Sequence, residues 1–364
     1  MPVSEHLLPY LNRIDESKWY TNFGKLVQEL ECKLESMLEA PCVTTANGTL
    51  ALDLAIRALE LPLGSKILVP AVTFHATGLA VLAAGHIPIL CDVHPSAWIL
   101  TPEIAQDVLR ENYPSDISAV IPVAAFGRPV PIESWECFAE TNNIPVVIDA
   151  AGAFPAQQVS AKSYVLTVFS THATKFMSSG EGGFVASHNK TIIDTIRSLS
   201  NFGLVVGKAG MNAKMSEYHA AVALASLARL EETKEAMREL HAYYTDSLPA
   251  NVHCQLRPLS GHYTHMPVLL PDSREGFAHY IKAKLADLDI DTKQWYRPFL
   301  DEHPVFHTCQ KTPLPVTRKL RQRMLGLPFH SSLTKQDIDH VCSQLNQVLA
   351  SDVRDKVGMY EPSL

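Results

Sequence analysis

Phe169–Val185, FSTHATKFMSSGEGGFV, sets a single lysine, Lys175, in a polar, glycine-bounded turn between two apolar runs, Ser163–Thr171 and Gly182–Ser187. Lysine is a weak nucleophile at neutral pH until burial or a cationic neighbour lowers its pKa. A lysine held between two buried strands is therefore a candidate imine former, with a solvated loop lysine as the alternative. Upstream, Asn143–Asp149 reads NIPVVID, an apolar run suited to a fully buried parallel strand, and it ends on a carboxylate. Ligands of open α/β sheets lie beyond the carboxyl ends of the strands, which puts Asp149 where it can meet one. A Schiff-base lysine and an acid that keeps a pyridine nitrogen protonated are the pair that a pyridoxal phosphate site requires.

A phosphate needs a third element, and Val43–Ala58, VTTANGTLALDLAIRA, offers it. A short β-branched run leads to Asn47-Gly48-Thr49, after which Leu50, Leu54, Ala58 and Leu61 recur at helical spacing. Glycine lets the backbone approach an anion, and first-turn amides favour negative charge there. An ordinary helix cap is the simpler reading of Asn-Gly-Thr taken alone. Cap, strand-end carboxylate and turn lysine, in that order, are far more specific together.

The order and content of these stretches resemble the pyridoxal-phosphate sugar aminotransferases of the DegT/DnrJ/EryC1/StrS group. The likeness runs from about Tyr20 to Leu349 through YTNFGKLVQELE, ANGTLAL, KILVPAVTFHATGLAVLAAGHIPILCDV, VVIDAAGAF, the Lys175 stretch, AGMNAKMSEYHAAVALASL and LPVTRKLRQRMLGLPFHSSLT. It implies the aspartate-aminotransferase-like fold (PLP fold type I), a largely parallel sheet with helices on both faces and a smaller α+β C-terminal domain. Alternating apolar runs agree with an α/β class: Lys66–Val69, Ile87–Val93 and Ile117–Ala125 as strands, with Leu79–Ala84, Glu103–Glu111 and Ile132–Asn142 as helices between them. Phe23–Leu38 reads as an amphipathic packing helix, with leucines four apart. Near Glu235 the chain turns charge-rich, then carries the proline-bearing Gln255–Pro271 and a helix over Phe277–Leu288. We expect a cofactor-binding domain over 1–235 and a small domain over 236–364.

By the same resemblance Lys175 and Asp149 are the catalytic pair and the cofactor is pyridoxal 5'-phosphate. Gly48, Thr49 and Ser170 would hold its phosphate, and Phe74 would stack on its ring, a core phenylalanine being the other reading. Asn212 matches an asparagine that reaches the phosphate of the other subunit, which implies a homodimer with shared sites; on its own it is a helix cap. Arg297, in Tyr296-Arg297-Pro298 near the expected active-site mouth, offers a fork of donors for a carboxylate or diphosphate, or is simply a surface arginine. His172 could act chemically, since imidazole titrates near neutrality, but reads first as a structural histidine. Four positions depart from the family pattern. Gly152 stands where a glutamine or histidine commonly contacts the cofactor ring, Phe176-Met177 replaces Asn-Leu, Lys214 replaces an arginine and His219 a glutamine.

Composition sets the outer limits. The chain has 364 residues, 46% hydrophobic and 19% charged, as expected for a globular protein with a large core. A net charge of -7 without a basic cluster speaks against nucleic acid or anionic membranes as partners. The 7 cysteines include no CxxC pair, which suits reduced thiols better than a zinc site or disulfide framework. No signal-peptide pattern or spanning apolar run is seen, so the expected location is cytoplasmic. The opening PYLNRID…YTNFG leans towards the subgroup that makes dTDP-4-amino-4,6-dideoxyglucose. The expected substrates are therefore dTDP-4-keto-6-deoxy-D-glucose and L-glutamate, in surface polysaccharide (O-antigen, lipopolysaccharide) synthesis. A C3-aminating or cyclitol enzyme and a non-catalytic cofactor-binding regulator are the alternatives.

Overall fold

The computed structural model describes residues 1–111, 116–256, 264–272 and 274–358. Residues 257–263 of the predicted Gln255–Pro271 stretch, and 359–364 of the expected small domain, lie outside them. The strands are β1 (Cys42–Thr45), β2 (Lys66–Pro70), β3 (Ile87–Cys91), β4 (Ile117–Val120), β5 (Val146–Asp149), β6 (Val165–Ser170), β7 (Gly183–Ala186), β8 (His253–Cys254), β9 (Met266–Leu269) and β10 (Met324–Leu327). The helices are α1 (Ser4–Ser17), α2 (Lys25–Leu38), α3 (Gly48–Ala58), α4 (His75–Ala83), α5 (Pro102–Arg110), α6 (Ile132–Asn142), α7 (Lys190–Leu199), α8 (Glu217–Leu227), α9 (Leu230–Ser247), α10 (Phe277–Ala286), α11 (Pro315–Arg323) and α12 (Lys335–Gly358).

Among the described residues the first seven strands form one sheet in the order β1-β7-β6-β5-β4-β2-β3. Pairing is parallel from β3 across to β6, while β7 runs antiparallel to both β6 and β1. Alternation along β5 shows why both faces are covered. Val146 and Ile148 enter one apolar core with Leu30, Trp135 and Leu224, whereas Val147 enters the other with Leu54, Val81 and Ile196. Side chains of a strand point alternately to opposite faces, so an unbroken apolar run requires helices on both. This is the aspartate-aminotransferase-like arrangement. The predicted strand Ile117–Ala125 is shorter than expected, ending at Val120: Pro122 has no amide to donate, and the chain turns tightly through Ala125–Gly127.

The start of α2 is held from outside. It begins at Lys25 instead of Phe23 because Asn22 and Phe23 take left-handed φ values of 61° and 59°. No side chain of its own caps it. The Glu217 carboxylate of α8, 1% exposed, accepts from the amides of Leu26 at 2.8 Å and Val27 at 3.0 Å. These are first-turn donors that a helix leaves unpaired. Glu217→Ala should destabilise the protein by about 3 kcal/mol, since it strands two buried donors that had a charged acceptor. An unchanged midpoint of denaturant unfolding would show that water replaces the carboxylate at no cost.

The remaining strands form an antiparallel sheet in the order β10-β9-β8. Its core joins Val268 and Leu325 to Tyr244 of α9, Ile281 of α10 and Leu345 of α12. Residue 235 lies inside α9. Leu230 and Met237 of this helix belong to the larger core and Tyr244 to the smaller one, so the core changes along a continuous helix. Phe299, Leu300, Phe306, Leu314 and Leu320 return to the large sheet. A division into 1–235 and 236–364 stays our proposal, with 299–320 crossing back over it. Among the described residues no helix is long and apolar enough to cross a membrane.

Candidate active site

Three chain segments meet at the carboxyl ends of β1, β5 and β6. Asn47 caps α3, its Oδ1 accepting from the Leu50 amide at 2.9 Å. The first turn then packs backbone to backbone. A Cβ on Gly183 would lie 2.8 Å from both Cα and N of Gly48, and one on Gly48 would lie 2.9 Å from Cβ of Ser170. Only glycine allows this approach, which sets the N-terminus of α3 beside the Ser170 hydroxyl. Both border a cavity of about 740 Å3, which is also lined by Thr49, Phe74, Asp149 and Lys175.

Asp149 closes the deep end of that cavity. It is 4% exposed; its Oδ2 accepts from Thr77 Oγ1 at 2.7 Å and its Oδ1 from the Ala151 amide at 3.1 Å. Thr77, buried in α4, is in turn 2.8 Å from Thr73 Oγ1. Burial raises the pKa of the Asp149 carboxyl, opposed by the Thr77 and Ala151 hydrogen bonds and by the charge of Lys175. The converse holds for Lys175. Protein atoms crowd it, and that burial lowers its ammonium pKa while Asp149 pulls it up. Such mutual opposition keeps an amine and an acid chemically poised in one low-dielectric space.

The turn that carries Lys175 is tied internally. Thr171 N donates to Gly182 O at 2.9 Å, Ala173 N to Gly180 O at 2.9 Å, and Lys175 N to His172 O at 2.8 Å. Inside it, Thr171 Oγ1 lies 2.5 Å from Ser179 Oγ. His172 lies in the same turn. It stands exposed on the cavity, Nδ1 3.0 Å from Thr174 Oγ1 and Nε2 4.0 Å from Glu181.

Phe74 is 56% exposed and borders the cavity, so it is no core phenylalanine. Facing it is an aromatic wall that sequence reasoning missed. Tyr296 stacks on Phe126 at 4.8 Å, its hydroxyl accepting from the Phe126 amide at 3.2 Å, and its ring is 6.5 Å from Phe74. His265 stands edge-on to Phe126 and to Trp295. The sequence signal was the Trp295-Tyr296 pair beside the arginine already singled out. Two expected residues lie elsewhere. Arg297 is exposed in a separate recess with Arg318 and Arg321, 4.0 Å from Glu302. Asn212 is exposed, joined to Asn201 by a backbone bridge, and does not border its own chain's cavity.

The cavity fits pyridoxal phosphate. Its buried carboxylate answers a protonated ring nitrogen, its crowded amine answers an aldehyde, and a glycine-opened helix N-terminus beside a serine answers a phosphate. Comparisons with known proteins agree. The sequence matches the DegT/DnrJ/EryC1/StrS aminotransferase family over residues 3–346. A GDP-perosamine synthase from Vibrio cholerae is 25% identical over 92% of this chain and 94% of its own. A dTDP-4-amino-4,6-dideoxy-D-glucose transaminase from Shigella dysenteriae is 26% identical over 96% and 97%. A dTDP-3-amino-3,6-dideoxy-alpha-D-galactopyranose transaminase from Aneurinibacillus thermoaerophilus is 26% identical over 95% and 96%. Among solved structures, DesI in the presence of its TDP-sugar product superposes with a TM-score of 0.88 at 26% identity, covering 99% of this chain and 94% of that one.

Proposed function

The chain belongs to the DegT/DnrJ/EryC1/StrS aminotransferase family, and from that premise we propose that it aminates a nucleotide-linked 4-keto-6-deoxy sugar, with L-glutamate as donor. It is a pyridoxal-phosphate-dependent sugar aminotransferase. The observation that carries the reading is the pairing, in one cavity, of the crowded Lys175 amine with the buried Asp149 carboxylate. When bound, pyridoxal phosphate supplies an aldehyde that exchanges amines and a ring that draws electron density from the carbon losing its proton.

The residues then take the following roles. Lys175 Nζ would hold the cofactor covalently and, as a free amine, would carry the proton from the donor's α-carbon to the cofactor's reacting carbon. In the second half-reaction it returns a proton to the sugar carbon that receives nitrogen. Asp149, whose charged form the Thr77 and Ala151 hydrogen bonds favour against burial, would hold the ring nitrogen in its protonated form. Gly48, Thr49 and Ser170 would hold the phosphate, and Phe74 would stack on the ring. Asn212 completes the phosphate site of a second subunit, which makes the working form a homodimer. Arg297 is our proposed contact for an acidic group of a substrate.

The acceptor is dTDP-4-keto-6-deoxy-D-glucose in this reading, and the product serves surface polysaccharide synthesis in the cytoplasm. The Shigella relative supports C4 amination on dTDP, while the Vibrio relative keeps GDP as the rival nucleotide. A C3-aminating enzyme is the second reading, because the Aneurinibacillus relative is as similar as the Shigella one. The test is to incubate the cofactor-loaded enzyme with glutamate and a panel of nucleotide keto sugars, then identify the product by NMR. Amine at C3, or on a different nucleotide, replaces the proposed acceptor.

The lowered pKa of Lys175 has a measurable consequence. More of its amine is free at a given pH than for an ordinary lysine, so covalent uptake of cofactor should rise with pH and level off below the usual lysine range. Stopped-flow absorbance across a pH series measures it. A plateau only at the pH of a solvated lysine would mean that burial leaves the amine unperturbed.

A further inference from the structure

Trp295 stands between two spaces. One is the cavity that holds Lys175 and Asp149; the other is a recess of about 470 Å3 bordered by Gly326, Phe329 and His330. His265 borders both as well, its ring edge-on to the indole at 5.1 Å. The indole can occupy this place because residue 326 has no side chain. A Cβ there would lie 2.5 Å from Cδ1 and 2.6 Å from Nε1 of Trp295, inside the contact distance of any carbon pair. Nor can the backbone retreat. Gly326 N donates to Lys293 O at 2.6 Å and Lys293 N to Gly326 O at 2.9 Å, fixing β10 and the chain leading to Trp295 at one spacing. Gly326 borders the recess and not the active cavity. An atom added at 326 therefore displaces the indole, and with it the wall that Trp295 gives the active cavity.

We propose that Trp295 is the specificity wall that sets how far a sugar acceptor enters the active cavity, and that Gly326 is its positioning residue. The inference rests on the keto-sugar reading above. Both substrates must reach the same amine. Glutamate is narrow and unbranched beyond its α-carbon, whereas the acceptor brings a substituted ring with a nucleotide attached, so a wall displaced by one methyl hinders the acceptor alone. Misfits of one methyl or methylene in a shaped pocket are worth about 10-fold to 200-fold in discrimination.

The test uses cofactor-loaded Gly326→Ala, Trp295→Ala and the double variant, with each half-reaction followed separately by cofactor absorbance. Gly326→Ala should raise the acceptor KM about 10-fold and leave the glutamate half-reaction within about twofold. In the Trp295→Ala background the same change should have no effect on KM, because the two residues act as one unit. Binding of an unreactive nucleotide-linked glucose to the holoenzyme, measured by calorimetry, should weaken in step with KM. Trp295→Ala alone should narrow the preference among keto sugars of different bulk about 10-fold, which tests the wall even where Gly326→Ala does not fold. An equal effect of Gly326→Ala in both backgrounds, a parallel loss in both half-reactions, or an unchanged sugar preference in Trp295→Ala overturns the wall. Wild-type enzyme that reacts with glutamate yet accepts no keto sugar overturns the acceptor reading instead, and the wall's role with it.

Discussion

Lys175→Ala is expected to lose the visible absorbance of protein-linked cofactor and to lower turnover by about 10,000-fold or more. Two losses combine. The covalent tether goes, and so does the only amine that borders the cavity among the described residues, the group proposed to move the α-proton. His172 and His265 also border the cavity, but His172 faces Thr174 and Glu181 and His265 stands edge-on to Phe126 and Trp295. Fold stability should hardly suffer, because lysine burial lowers its own pKa and so costs the folded state something at neutral pH. The measurement is an absorbance spectrum with and without added cofactor, with turnover in the same buffer. A wild-type spectrum from the alanine variant would move the covalent role to another lysine.

The parts of this site that sequence made legible are those carried by local pattern. VVID is unambiguous because a buried parallel strand has no polar face, so the terminal Asp149 had to be at a strand end. Lys175 was legible because glycines and serines fence it between two apolar runs. Thr77 was not. Its importance comes from a 2.7 Å contact with Asp149 across two elements, and a threonine in an alanine-rich helix announces nothing by itself. The aromatic wall was hidden for a related reason: Phe126, His265 and Tyr296 come from three distant segments and meet only in the folded chain. Arg297 lines a separate recess and not the cavity, a placement that sequence could not give because a motif fixes the neighbourhood of a side chain and not its direction. Strand polarity was equally invisible, since β7 has the same apolar composition whether it pairs parallel or antiparallel.

Asp149→Asn should separate function from stability. The substitution keeps the shape, and an amide oxygen can still accept from Thr77 or Ala151, so the cavity should persist. What disappears is the negative charge that would hold a ring nitrogen protonated, and turnover should fall by about 100-fold to 1,000-fold, the size of loss seen when one charge-stabilising group is removed from a reaction centre. Stability should move the other way in the cofactor-free protein. Burial raises the folded-state pKa of Asp149, so its contribution to stability is full below the unfolded carboxylate pKa and is lost as pH rises through the folded pKa. At neutral pH the ionised group is therefore a cost that asparagine does not carry. In the variant Lys175 loses the carboxylate that raises its pKa, so burial lowers that pKa further. Thermal midpoints of the cofactor-free proteins should thus be close at pH 4 and favour Asp149→Asn increasingly towards pH 7. Equal turnover in the two proteins would refute the electronic role, and a lower midpoint for the variant at pH 7 would show that the carboxylate is a structural anchor whose hydrogen bonds to Thr77 and Ala151 outweigh its burial.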